Sequence, residues 1–85
     1  MKTLLIVDDE KATRDGLRMA LEESFDCYVA ADLKQAKQVL SSEDVDLLLT
    51  DLRLGADSGM EVLDAALALP HPPVALMMPA YGSVD

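Results

Sequence analysis

Four segments of the chain are apolar with little polar interruption: residues 3–7 (TLLIV), 26–30 (DCYVA), 45–50 (VDLLLT) and 74–78 (VALMM). Short apolar runs of this kind predict strands covered on both faces. The segments between them repeat their apolar residues every three or four positions, the spacing of one helix face. Residues 12–24 predict a helix whose stripe is Leu17, Ala20, Leu21 and Phe25. Gly16 lies inside it and costs up to about 1 kcal/mol relative to Ala, which points to close packing there. Asp32 is placed to cap a second helix with the stripe Leu33, Ala36, Val39 and Leu40, broken by SSED. The loop RLGADSG takes its turns from Gly55 and Gly59. A third helix over 60–69 presents Met60, Val62, Leu63, Ala66 and Leu67, and PHPP ends it because proline cannot continue a helix. The order β-α-β-α-β-α-β predicts a parallel sheet with helices on both faces.

Composition narrows the function. In 85 residues there is room for one domain, marginal alone because so short a chain hides only about 60% of its unfolded surface. Seven basic against sixteen acidic residues give a net charge of −9. This argues against nucleic acid and against an acidic membrane surface, and favours cations. Cys27 excludes an internal disulfide framework and reads as a small buried hydrophobe. There is no signal-peptide pattern and no run of about 20 apolar residues, so a reducing, cytoplasmic setting is expected.

Three acids then change the picture. Asp8 and Asp9 follow the first strand and Asp51 follows the third. In an open parallel sheet, ligands bind beyond the carboxyl ends of the strands, where strand order reverses. With the order 2-1-3-4 all three carboxylates meet in one crevice. They would not all stay ionised there without a cation, and a hard ion with oxygen ligands, Mg²⁺, fits. Singly, Asp8 and Asp9 also suit a helix cap, and Asp51 a loop start. It is their joint placement that favours a site.

LLIVDDE, DLLLTDLRLGADSGMEVL and PPVALMMPAYGSVD together resemble the receiver domain of two-component response regulators, with Gly59 eight residues after Asp51. DLRLGADSGMEVL and AYGSVD are most similar to receivers of the NtrC-like class. The resemblance implies an α/β, flavodoxin-like (CheY-like) doubly wound sheet. It implies that Asp51 accepts a phosphoryl group from a sensor histidine kinase with Mg²⁺. In that family pattern Asp9 ligates the ion directly, Asp8 acts largely through water, and the backbone carbonyl of Arg53 completes the set. The segment would be a signalling module rather than an enzyme, although receivers hydrolyse their own phosphate. It would regulate transcription through an output domain outside these residues.

Two departures stand against the family pattern. Pro79 occupies the place of a switch Thr or Ser and lacks both hydroxyl and backbone N–H, leaving the amide of Ala80 as the phosphate contact. The fifth strand, the last helices and a phosphate-binding Lys have no counterpart, so residues 1–85 read as a receiver incomplete at its C-terminus. These departures support a second reading, a phosphorylation-independent interaction or dimerisation fragment, with a homodimer joined through the truncated side. An Asp-nucleophile hydrolase fits poorly, since Arg53 stands where such enzymes carry a second acid. Nucleotide binding fits poorly too, because no Gly-rich loop follows the first strand. His71 is expected to be exposed and inert, and Tyr28 and Tyr81 to pack.

Overall fold

The computed structural model describes residues 1–78. Five parallel-sheet and hairpin strands and three helices follow β1 (Thr3–Val7) in the order α1 (Lys11–Leu21), β2 (Asp26–Ala30), α2 (Leu33–Ser42), β3 (Leu47–Asp51), β4 (Arg53–Leu54), β5 (Asp57–Ser58), α3 (Gly59–Leu67) and β6 (Val74–Met78). The main sheet runs β2-β1-β3-β6, all parallel. This is the expected 2-1-3-4 order, with the strand order reversing between β1 and β3. The short strands β4 and β5 form a separate antiparallel hairpin within RLGADSG, where the sequence predicts only a loop.

One face of the sheet is closed. Leu5, Val7 and Leu48 pack with Ala36 and Leu40 of α2, Val62 and Ala66 of α3, and Leu54 of the hairpin. On the other face Leu4 and Ile6 are buried, but α1 has no fully buried residue. The register sets Ile6 beside Leu49 and Leu49 beside Leu76. Along that row exposure climbs from 0% at Ile6 to 60% at Leu76, and Val74 beside Leu47 is 63% exposed. So β6 forms where its apolar run predicts, yet this face of it is not covered among the described residues.

Several local expectations are corrected. The first helix ends at Leu21, where the amides of Ser24 and Phe25 both turn back to the Leu21 carbonyl. Ala20 is exposed, and the space around Gly16 is open, with nothing within 4 Å of an added Cβ, so close packing does not explain that glycine. The second helix continues through Ser41 and Ser42, whose hydroxyls bond back to carbonyls of the preceding turn. Strand β3 starts at Leu47 instead of residue 45, although Val45 is buried. In α3 it is Gly59, Val62 and Ala66 that face the core, while Met60 and Leu67 are exposed. Cys27 is half-buried: its thiol donates to the Phe25 carbonyl, and burial raises its pKa. Pro79, Ala80 and Tyr81 lie outside the described residues.

Candidate functional site

The carboxyl ends of β1 and β3 are adjacent because their strands are hydrogen-bonded neighbours. That adjacency brings Asp8, Asp9 and Asp51 together: one carboxylate oxygen from each lies within 4.8 Å of the others. Asp8 is 3% exposed, Asp51 is half-buried and Asp9 is open to solvent. The Asp8 amide donates to the Ala30 carbonyl at 3.1 Å, which extends the β1–β2 ladder by one residue and fixes the backbone of the acidic pair. The Arg14 guanidinium donates to the Asp8 carbonyl at 2.8 Å, so the backbone, not the carboxylate, takes this cation.

Electrostatics favour a cation here. Burial raises the Asp8 pKa; the hydrogen bond from the Glu10 amide opposes this, and the charges of Asp51, Asp9 and Glu10 add to the rise. The Glu10 amide reaches Asp8 Oδ1 at 2.9 Å, so Asp8 supports the start of α1 as well as lining the crevice. The single ion pair among the described residues is the surface pair Lys11–Asp15, which leaves the crevice carboxylates unpaired. Three hard oxygen donors with no positive partner suit a small divalent ion such as Mg²⁺, which needs few protein ligands and keeps several waters.

The segment after Asp51 is shaped around that carboxylate. The Arg53 amide donates to Asp51 Oδ1 at a long 3.4 Å. Thr50, fully buried, donates its hydroxyl to the Asp51 carbonyl at 3.0 Å. Gly55 turns the hairpin with φ +63°. Gly59 is not a turn residue as expected; it begins α3. A Cβ there would overlap the Asp51 carbonyl oxygen and lie 3.0 Å from Leu52 Cα, so the close approach of α3 to the end of β3 requires glycine. Asp57 reaches out of the hairpin to accept from the Leu33 amide at 3.2 Å. Thr50 and Asp57 carry no signal of these roles in the sequence. Thr50 sits inside an apolar run, and the partner of Asp57 lies 24 positions away, beyond any local pattern. His71 is exposed as expected, and Tyr28 packs against the core with its hydroxyl donating to Glu43.

The family model for the response regulator receiver domain matches residues 4–85. The chain belongs to this family, the receivers of two-component systems. It is 41% identical over 83 residues to the response regulator protein PilR of Pseudomonas aeruginosa, covering 95% of this chain and 18% of that protein. Among solved structures it is similar to a CheY-like receiver domain from Methanospirillum hungatei, at 30% identity and TM-score 0.87, covering 99% of this chain and 68% of that one. It is also similar to the response regulator TrrA of Thermotoga maritima, solved in complex with Mg²⁺ and BeF, at 29% identity and TM-score 0.84, covering 95% and 71%. The chain thus spans less than a fifth of the length of PilR. Among the described residues no helix is long and apolar enough to cross a membrane.

Proposed function

We propose that this receiver accepts a phosphoryl group on Asp51 from the phosphohistidine of a sensor histidine kinase, with Mg²⁺ held by Asp8, Asp9, Asp51 and the backbone carbonyl of Arg53. The observation that carries the reading is the convergence of three unpaired carboxylates within 4.8 Å at the carboxyl ends of β1 and β3. A carboxylate oxygen of Asp51 forms the new O–P bond, the P–N bond of the phosphohistidine breaks, and its electron pair stays on the imidazole. Mg²⁺, when bound, offsets the negative charge of the phosphoryl oxygens against the acidic crevice. Asp8 and Asp9 hold the cation side of the site, and the Arg53 amide steadies the nucleophile. The module signals and does not turn over a metabolite. It would act in the cytoplasm and, like the relatives named as transcriptional regulatory proteins, HoxA and AlgB, on transcription, here through an output domain outside these residues.

Incubation with Mg²⁺ and acetyl phosphate, followed by intact mass measurement, tests the reading. The native chain gains one phosphate; Asp51→Asn gains none, and chelation of the metal abolishes the gain. An unchanged mass in the native chain overturns it. A second copy is also proposed as a partner, seated on the open face of β3 and β6, on the strength of the exposed Val74 and Leu76. Sedimentation that finds a monomer at every concentration removes that partner.

A further inference from the structure

The hairpin that carries Arg53 is too small to hold itself. Its strands have two residues each, paired Arg53 to Ser58 and Leu54 to Asp57. Even a longer isolated hairpin is marginal in water. Its position therefore depends on what it is tied to. Leu54, 2% exposed, is buried in the closed-face core. Gly55 brings the tip beside Asp9, where an added Cβ would lie 3.7 Å from Asp9 Oδ2. The third tie is Asp57, whose Oδ2 accepts from the Leu33 amide at 3.2 Å.

This tie is suited to its place. Leu33 is the first residue of α2, and its amide is one of the donors that a helix N-terminus leaves without an internal partner. The cap residue Asp32 is already engaged with the Gln35 amide at 2.8 Å, and the Gln35 side chain accepts from the Ala31 amide. The Leu33 amide is thus satisfied from outside the helix, by a carboxylate that the positive end of the helix dipole attracts. Each side of this bond lies close to a buried anchor, Leu54 paired with Asp57 in the hairpin and Ala36 one turn after Leu33, so the bond joins two firmly packed elements.

We propose that Asp57 is a positioning residue for the cation site: by fastening the β4–β5 hairpin to the first turn of α2, it holds the Arg53 carbonyl in reach of the ion and links ion occupancy to the N-terminus of α2. The proposal rests on the reading of Asp8, Asp9, Asp51 and Arg53 as the Mg²⁺ site. Asp57 does not itself touch the ion.

Mg²⁺ titration of the ¹⁵N-labelled protein tests it, with the amides of Asp9 and Asp51 reporting occupancy and the amide of Leu33 reporting the link. In the native protein all three shift together. Asp57→Ala is expected to weaken Mg²⁺ binding about three- to tenfold, below the about 10- to 100-fold typical of groups that bond a metal ligand directly. Its Leu33 amide should no longer follow the titration. Asp57→Asn keeps an acceptor oxygen and should restore both affinity and the Leu33 response. Leu33→Pro removes the donor from the other side. Proline is tolerated at a first helical position, and Asp32 before it is already extended at φ −153°, ψ 177°. This variant should weaken binding as Asp57→Ala does, and the double variant should be no weaker than either. Native affinity in Asp57→Ala overturns the proposal, as does a loss that Asp57→Asn fails to restore. Absence of any Asp9 or Asp51 shift in the native protein is a different result: it removes the Mg²⁺ site itself, and the positioning role with it.

Discussion

The two faces of the sheet are built to different standards. On the closed face, residues of β1, β3, α2, α3 and the hairpin form one continuous buried cluster. On the open face, α1 contacts β1 and β2, and burial declines outward through Leu49 to Leu76. Yet β1 is closed on both sides, with Leu4, Leu5, Ile6 and Val7 all at most 5% exposed. The acidic crevice sits at the ends of β1 and β3, and the hairpin after Asp51 is anchored in the closed face through Leu54. The three carboxylates therefore lean on both faces: Asp8 also meets Glu10 and Arg14 at the start of α1. Among the described residues the outer part of the other face leaves Val74 and Leu76 exposed.

That contrast can be broken by substitution. The largest effect should come from Gly59→Ala, since the new methyl would collide with backbone at the Asp51 carbonyl and no flexible side chain is there to yield. A loss of about 3 kcal/mol or more is expected by denaturant unfolding, the upper range for overpacking. Next is Leu48→Ala, a cavity in the closed cluster at 1% exposure, which should cost about 3 kcal/mol. Leu76→Ala, the matching truncation on the open face, should change stability by less than about 0.5 kcal/mol. Comparable losses at positions 48 and 76 would mean that the open face is covered in solution, and sedimentation of the same samples would show by what.

A smaller effect separates the site from its scaffold. In the native protein, Mg²⁺ at ten times its dissociation constant should add about 1.4 kcal/mol to stability. Asp8→Asn keeps an oxygen for the Glu10 amide but removes a buried charge facing two other carboxylates. It should unfold at a higher temperature than the native protein when no cation is present, and gain little when Mg²⁺ is added. A cation-free Asp8→Asn protein less stable than the native one would show that the Asp8 carboxylate supports the fold more than it burdens it.

Much of this arrangement was legible in the sequence, for physical reasons that differ by element. The strands TLLIV, DCYVA and VALMM stood out as short apolar runs, although only TLLIV is central and the other two lie at the sheet edges. The meeting of Asp8, Asp9 and Asp51 followed from the topology of such sheets. Helix faces were read less well. Met60 and Leu67 match the apolar period but each lies one residue past a buried position, Gly59 and Ala66, at the edge of the stripe. Periodicity reports which residues favour burial, not whether anything covers them, so the exposure of Val74 and Leu76 is expected only from the family pattern, in which a further strand and helices cover the outer side of VALMM. The hairpin was missed because two-residue strands are too short to carry a pattern. With it went the bond from Leu33 to Asp57, which exists only once the chain is folded.

The smallest predicted effect tests the contrast at the helix starts. Both closed-face helices are capped by side chains: Asp32 accepts from the Gln35 amide, and Ser58 forms a reciprocal box in which its hydroxyl accepts from a first-turn amide and Glu61 accepts from the Ser58 amide at 3.1 Å. The open-face helix α1 has Glu10 at its cap position, and the Glu10 side chain bonds no helix amide; its carboxylate takes the hydroxyl of Thr13 instead, while Asp8 accepts from the Glu10 amide just before the helix. A cap that satisfies an orphan amide contributes about 1 kcal/mol. A surface carboxylate near a helix start contributes only about 0.3–1 kcal/mol through the dipole, and salt screens it. Ser58→Ala should therefore cost about 1 kcal/mol at any salt concentration, because its hydrogen bonds are local. Glu10→Ala should cost less than half of that, and the cost should fade in high salt. Denaturant unfolding of both variants at low and high salt makes the comparison. If Glu10→Ala proves as costly as Ser58→Ala, and equally so in salt, then α1 is anchored as firmly as α2 and α3, and the open face differs from the closed one in its covering alone.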